Sequence, residues 1–439
     1  MDRLLKRQIC KEPLQPACGE IELLSADTER FNGGRVLDCI CRSTMSGRTE
    51  DVEFSIVHEL EPLMQLESDW NALWNSANAP YLSQSFAWCV RSWREVARKR
   101  GCQLFCVVGR NAGKVVLIWP MSISSRYGFR IISQLGPEGS EYCLVLCAPG
   151  PSEISRVQGA LDFVSRRSGA DVIRLNYIRL ETSLGKSLPA LKGPQFRTIG
   201  RTSWISWEGI DDWQTYLARN MKPSHLQKHE RRRRKFAQLG VVRFELVEDA
   251  EQYLETMDWL LNHKYLWIEA KGRTNAWLLR QDYINFLRSH VALNEESSGL
   301  RLFRITVDGR IVAAELAAVT SARVELFNAA YDGEWSKYSP GHHLDEEMVR
   351  WAFDRGLVCD FRFGSEPYKA TWCNRFGSLA SVKVALTWKG ALIVAYLHLN
   401  EIKRGLKEAL QRRIITPQFR ESLRRGTLRT LQHYRSLNR

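Results

Sequence analysis

Apolar residues along this chain switch between a two-residue and a helical period, and the switching runs through the same order twice. Residues 1–52 keep no period, contain Asn32-Gly33-Gly34, and read as a poorly defined leader. A short strand is expected at 52–57, followed by helices at 60–74 and 86–96. Strands follow at 103–108, 114–119, 129–135 and 142–146, then a helix at 153–166 and strands at 171–178 and 196–207. The second pass begins with a strand at 241–246 and helices at 250–265 and 277–291. Strands at 300–307 and 311–319 flank an Asp308-Gly309 hairpin turn, and another lies at 322–331. A helix, strands at 357–363 and 381–388, and a helix at 391–410 complete it. The repeated order, without a residue-level repeat, argues for a tandem duplication. The expectation is an α/β protein with central mixed sheets flanked by helices, divided at 53–207 and 208–400, with a tail at 401–439.

Composition supports two folded units. An apolar fraction of 44% and fifteen tryptophans supply sizeable cores. No run of eighteen apolar residues occurs, and residues 1–24 carry charges and prolines where a signal peptide needs an apolar centre. A cytoplasmic protein is expected, with a place at the inner membrane left open. Eleven cysteines include no Cys-x-x-Cys pair, which favours reduced, structural thiols over a zinc site. The net charge of +14 points to anionic partners. Much of it sits in residues 403–439, where eleven Lys or Arg face only Glu408 and Glu421.

The stretch 338–377 concentrates the candidate chemistry. It reads Tyr338-Ser339-Pro340-Gly341-His342-His343-Leu344, a helix ended by Gly356, then Asp360-Phe361-Arg362-Phe363-Gly364 and Tyr368-Lys369-Ala370-Thr371-Trp372. Ser339 is placed to cap the helix and Pro340 suits its first turn. Strand, Gly-containing turn, helix and strand make a crossover unit, and the first helical N–H groups form a natural phosphate site. An ordinary Pro-Gly turn is the alternative. These motifs resemble the GNAT acyltransferase superfamily, and within it the cellulose-biosynthesis-associated acetyltransferase-like family, relatives of the Fem-type aminoacyltransferases. The resemblance spans roughly residues 54–395 and implies two tandem GNAT-like domains. The turn keeps one glycine where the superfamily usually has two or three.

An acyl transfer of this kind needs an acceptor base, a polarised carbonyl and a proton for the leaving thiolate. The resemblance implies Tyr368 as general acid, with a packing tyrosine as the alternative. Glu315 interrupts the apolar run 312–319, so it must be paired or face a cleft, and it ranks first as base. Glu325, Asp332, His342 and His343 are further base candidates. Donor contacts are expected from Ser339, Gly341, His342, His343 and Lys369. Asp332, Asp360 and Trp372 are assigned to the acceptor side, and no metal is expected.

Residues 222–240 hold Lys222, Lys228, Arg231, Arg232, Arg233, Arg234 and Lys235 against Glu230, with Leu226, Phe236 and Leu239 as the only large apolar residues. One helix docked by an edge is expected; its cations are either a solvated face or a contact for phosphates or tRNA. The implied function is an acyl-coenzyme A-dependent N- or O-acyltransferase of polysaccharide or cell-envelope synthesis, with acetyl-coenzyme A as donor and an amine or hydroxyl acceptor. A Fem-like transferase using aminoacyl-tRNA and a non-catalytic binding protein are the rivals. The basic tail suits an anionic membrane face, an acidic partner, or closure of the second core.

Overall fold

The computed structural model describes residues 51–126, 128–137, 142–191, 193–270, 280–290, 298–364 and 366–414. The expected leader lies outside them except for residues 51–52, as does the basic tail from residue 415 onward. Strands β1 (Glu53–Val57), β2 (Gln103–Asn111), β3 (Lys114–Arg126), β4 (Phe129–Gln134), β5 (Leu146–Cys147), β6 (Val172–Arg179) and β7 (Gln195–Ile205) come first. β8 (Val242–Leu246), β9 (Gly299–Val307), β10 (Arg310–Val319), β11 (Arg323–Tyr331), β12 (Val358–Phe363) and β13 (Arg375–Ala385) follow. They form a 13-stranded mixed sheet in the order β1-β2-β3-β4-β6-β13-β7-β12-β11-β10-β9-β8, with β5 beside β3.

The fold class matches the expectation, and so does the repetition. β1 to β4 and β8 to β11 are antiparallel runs. Each run then reaches a parallel strand, β4 to β6 and β11 to β12, across the helices Glu153–Arg167 and Pro340–Asp354. The apolar run of β10, interrupted by Glu315 alone between Ile311 and Val319, follows from its place between two helical layers. Ala313, Ala317 and Val319 join the core under helix Pro340–Asp354, while Ala314, Leu316 and Ala318 join the core holding Tyr253 and Phe286.

The halves exchange their last strands. β7 pairs antiparallel with β12, β13 pairs antiparallel with β6, and β7 and β13 pair with each other at the seam. A half on its own would leave a sheet edge open, and the exchange covers both edges. β13 also begins and ends earlier than the expected 381–388. Thr387 intervenes, and its hydroxyl accepts from the Gly390 N–H at 3.1 Å, starting the helix Trp388–Ile414. The expected strand 142–146 shrinks to β5. The expected helix 277–291 is described as Gln281–Ser289, since residues 271–279 lie outside the described chain.

Asp360 of β12 holds the seam. It is fully buried and accepts four hydrogen bonds. The donors are Tyr81 Oη at 3.2 Å, Tyr142 Oη at 3.1 Å, Arg179 Nη1 at 3.1 Å and its own strand's Arg362 N–H at 2.7 Å. Three of these come from the first half of the chain. Breaking a buried pair from one side costs about 3–5 kcal/mol, because the remaining cation is stranded. Asp360→Asn is therefore expected to lower unfolding stability by that order, with one cooperative transition for both halves. Denaturant unfolding followed by probes in each half checks this. Two separate transitions in the parent protein would contradict the shared seam.

Candidate active site

β11 and β12 run together only over Arg323↔Val358, Val324↔Cys359 and Glu325↔Asp360, and then part. On β12 the backbone turns at Arg362, which has φ 60°, and the guanidinium lies 4.2 Å from the Phe327 ring centre. On β11 the register shifts, because Leu316 faces Asn328 while Ala317 faces Leu326. This bulge at Phe327 takes the Asn328 N–H off the ladder, and Glu315 Oε1 accepts it at 3.0 Å. Helix Pro340–Asp354 begins at the open end; a Cβ on Gly341 would stand 3.3 Å from the Tyr331 ring. β4 and β6 also part, after two residue pairs. There the gap is filled by the chain itself: Cys143 N–H donates to the Tyr177 carbonyl at 3.2 Å, and β5 joins β3. The two halves therefore share a plan, and in the second the split is bridged by the Arg362 side chain on Phe327 instead of by a backbone segment.

Beneath the helix start lies a cluster of acids. Glu315 is buried, and burial followed by the nearby Asp345 charge pushes its carboxyl up to about 8. Asp345 is pushed up to about 7 by burial, with Lys369 pulling the other way. Tyr368 is held as a neutral phenol by burial and by the negative charges of Asp345, Glu366 and Glu315. Carboxyls that titrate near neutrality can accept a proton, and a phenol kept neutral can give one.

The helix start is electropositive. The basic segment forms helix Pro223–Ala237 with Pro223 in its first turn, and Phe236 is buried in the core under helix Pro340–Asp354. Burial, with Arg232 and Lys228 alongside, lowers His342. Burial and the neighbouring His342, Arg232, His225 and Lys228 lower His229 to about 4. His229 stands 5.3 Å from the Trp372 ring and 6.0 Å from His342, centre to centre. Lys228 and Arg232 lie one turn apart, so the cations and the helix dipole act on the same space.

Several expected site residues are engaged elsewhere. Ser339 precedes the helix with φ 59° and its side chain makes no capping bond, so a left-handed backbone replaces the expected cap. Lys369 is buried; its Nζ donates to the Phe363 carbonyl at 2.6 Å and meets Glu366 Oε2 at 3.1 Å. Its charge acts on Asp345 and Glu315. Gly364, at φ 128°, makes that approach possible, since a Cβ would stand 2.7 Å from Lys369 Nζ. Asp360 is corrected from acceptor contact to buried seam. Trp372 is 1% exposed and belongs to the core under helix Pro340–Asp354. Asp332 caps the following turn by accepting from the Glu334 N–H at 2.9 Å and pairs with Arg310 at 2.7 Å. His343 is buried and stacked on Phe236 at 4.4 Å. His342, Gly341, Glu315 and Tyr368 remain at the split. Asp345 and His229 were not foreseen. A signal for Asp345 existed, since it directly follows the inward-facing Leu344.

Residues 223–370 match the family model described as an acetyltransferase (GNAT) domain. The matched stretch runs from the basic helix to the start of the short helix Lys369–Trp372. Among solved structures, FemX is 12% identical, covering 74% of this chain and 96% of its own, with a TM-score of 0.50. The family match lies within the second half, and the likeness to FemX is one of fold. A conserved protein from Bacteroides thetaiotaomicron is 10% identical over 76% of this chain and 100% of its own, TM-score 0.48. A tandem GNAT protein of the clavulanic acid pathway is 11% identical over 77% of this chain and 99% of its own, TM-score 0.43. No curated protein matches the chain.

The raised Glu315 carboxyl carries a stability signature. In the unfolded chain it loses its proton near 4.5, in the fold near 8, so stability present below pH 4.5 is lost as pH rises towards 8. Glu315→Gln keeps an oxygen for the Asn328 N–H and removes the charge. Its melting temperature is expected to fall less than that of the parent between pH 5 and 8. Parallel curves would contradict the buried carboxyl.

Proposed function

We propose that the chain is an acyl-coenzyme A-dependent N- or O-acyltransferase, with its reaction centre in the split between β11 and β12. The observation that carries this reading is one juxtaposition. A parted strand pair, an electropositive helix start and an acid–phenol cluster meet at the same sheet edge, inside the stretch that matches the acetyltransferase family model. The donor's phosphates are assigned to the start of helix Pro340–Asp354, between Gly341, His342, Lys228 and Arg232. Those residues fit an anion, because cations crowd the half-buried histidines. The acyl chain then points along the split towards Glu315, Asp345 and Tyr368.

In this mechanism the acceptor's amine or hydroxyl attacks the thioester carbonyl, and its proton passes to Asp345, which titrates nearer neutrality than its protonated neighbour Glu315. The carbon–sulfur bond breaks and Tyr368 protonates the departing thiolate. No covalent enzyme intermediate is needed. Placement in polysaccharide or cell-envelope synthesis, with acetyl-coenzyme A as donor, rests on the resemblance carried by residues 338–372. A second reading, aminoacyl transfer from tRNA as in the Fem-type relatives, is favoured by the basic helix, whose Arg231, Arg233, Arg234 and Lys235 are exposed. Binding of aminoacyl-tRNA that falls steeply with salt, without binding of acetyl-coenzyme A, would select that reading.

Titration calorimetry with acetyl-coenzyme A tests the donor site. Lys228→Ala with Arg232→Ala is expected to weaken binding by about tenfold or more, since each removes a phosphate contact. Equal affinity in parent and variant would exclude this placement. Tyr368→Phe is expected to lower the turnover of thiol release by about 10²-fold or more and leave donor affinity nearly unchanged. Unchanged turnover would remove the phenol from the mechanism.

A further inference from the structure

The helix Trp388–Ile414 is apolar on both sides along its first turns. Its inner side docks on the sheet: Val394 is buried, and Gly390 lies so close that a Cβ would meet the Asp171 backbone. Its outer side bears Trp388, Leu392, Tyr396, Leu399 and Ile402, exposed by 46–72%. These positions recur every three or four residues and form one continuous stripe. Beside the stripe runs a groove of about 490 Å³, where Phe196 and Ile402 meet Arg197, Lys383 and His398. An apolar stripe of this length on a surface helix marks something that covers it.

We propose that this face seats on an anionic membrane surface, with the helix lying flat in the interface. Charge selects this occupant. Lys389 and Lys403 are exposed on the helix, cations line the groove, and residues 403–439 carry a net +9. Trp388 and Tyr396 have an apolar body and a polar tip, as suits the headgroup boundary. A second copy on the same stripe would set Lys389, Lys403 and the groove's Arg197 and Lys383 near their own counterparts, against like-charge repulsion. Residues 1–52 are nearly balanced in charge and offer the flanking cations no complement. No helix among the described residues is long and apolar enough to cross a membrane, so the contact is a surface one.

Co-sedimentation of the full chain with phosphatidylcholine vesicles containing about 30% phosphatidylglycerol tests this, at low salt and at about 0.15 M. The parent is expected to pellet with these vesicles and far less with phosphatidylcholine alone. Leu392→Glu with Tyr396→Glu, both on the exposed face, is expected to cut partitioning by about tenfold or more. Melting temperature and acetyl-coenzyme A binding should stay unchanged, which separates this proposal from the donor site. Three results would overturn it. The parent stays in the supernatant, the variant pellets like the parent, or sedimentation velocity shows a non-pelleting dimer that the variant dissolves.

Discussion

Asp360 is the constraint on which the rest depends. Its carboxylate is fully buried, and a lone buried charge would be prohibitive without partners. The partners come from Tyr81, Tyr142 and Arg179, far away in sequence, and Arg323 adds its charge at 3.8 Å. Arg179 is itself held over the Trp204 ring at 4.3 Å, on the exchanged strand β7. The bonds fix β12 against the first half at the point where β12 leaves β11. Just beyond, Arg362 turns out of the strand and the split begins. The buried charge and the opening of the site are thus neighbouring consequences of one strand.

The same plan is used differently in the two halves. In the first, residues 142–147 run through the split and bring Tyr142 to Asp360, so the filler of one gap is also a support of the other. In the second, the corresponding edge carries the carboxyls of Glu315 and Asp345, the Tyr368 phenol and the positive helix start. Polar groups concentrate where a packed core would reject them, and Glu315 and Lys369 are satisfied by a bulged N–H, a carbonyl and Glu366. On the proposed reading, burial leaves Asp345 poised to accept a proton near neutral pH, beside a Glu315 that already holds one.

Much of this was legible in the residues, because the information was local. The two periods placed most strands and helices within a few residues, and the repeated order announced the duplicated plan. Glu315 stood out as a carboxylate inside an apolar strand, and the stretch 338–372 marked the crossover. What was not legible depends on long-range pairing. No local pattern says that β13 leaves its own half for β6, or that Asp360 meets Tyr81. Lys369 looked like a free cation because its captor, the Phe363 carbonyl, is presented only by the left-handed turn at Gly364. Ser339 looked like a cap because its residue type suits one, yet its backbone is left-handed.

On the proposed reading the donor occupies the split of the second half and not that of the first. Hydrogen–deuterium exchange with and without acetyl-coenzyme A tests it most directly. New protection is expected in residues 326–331, 340–343 and 361–364, with unchanged exchange in residues 131–135 and 174–179. Protection confined to the first half, or none at saturating donor, would contradict it.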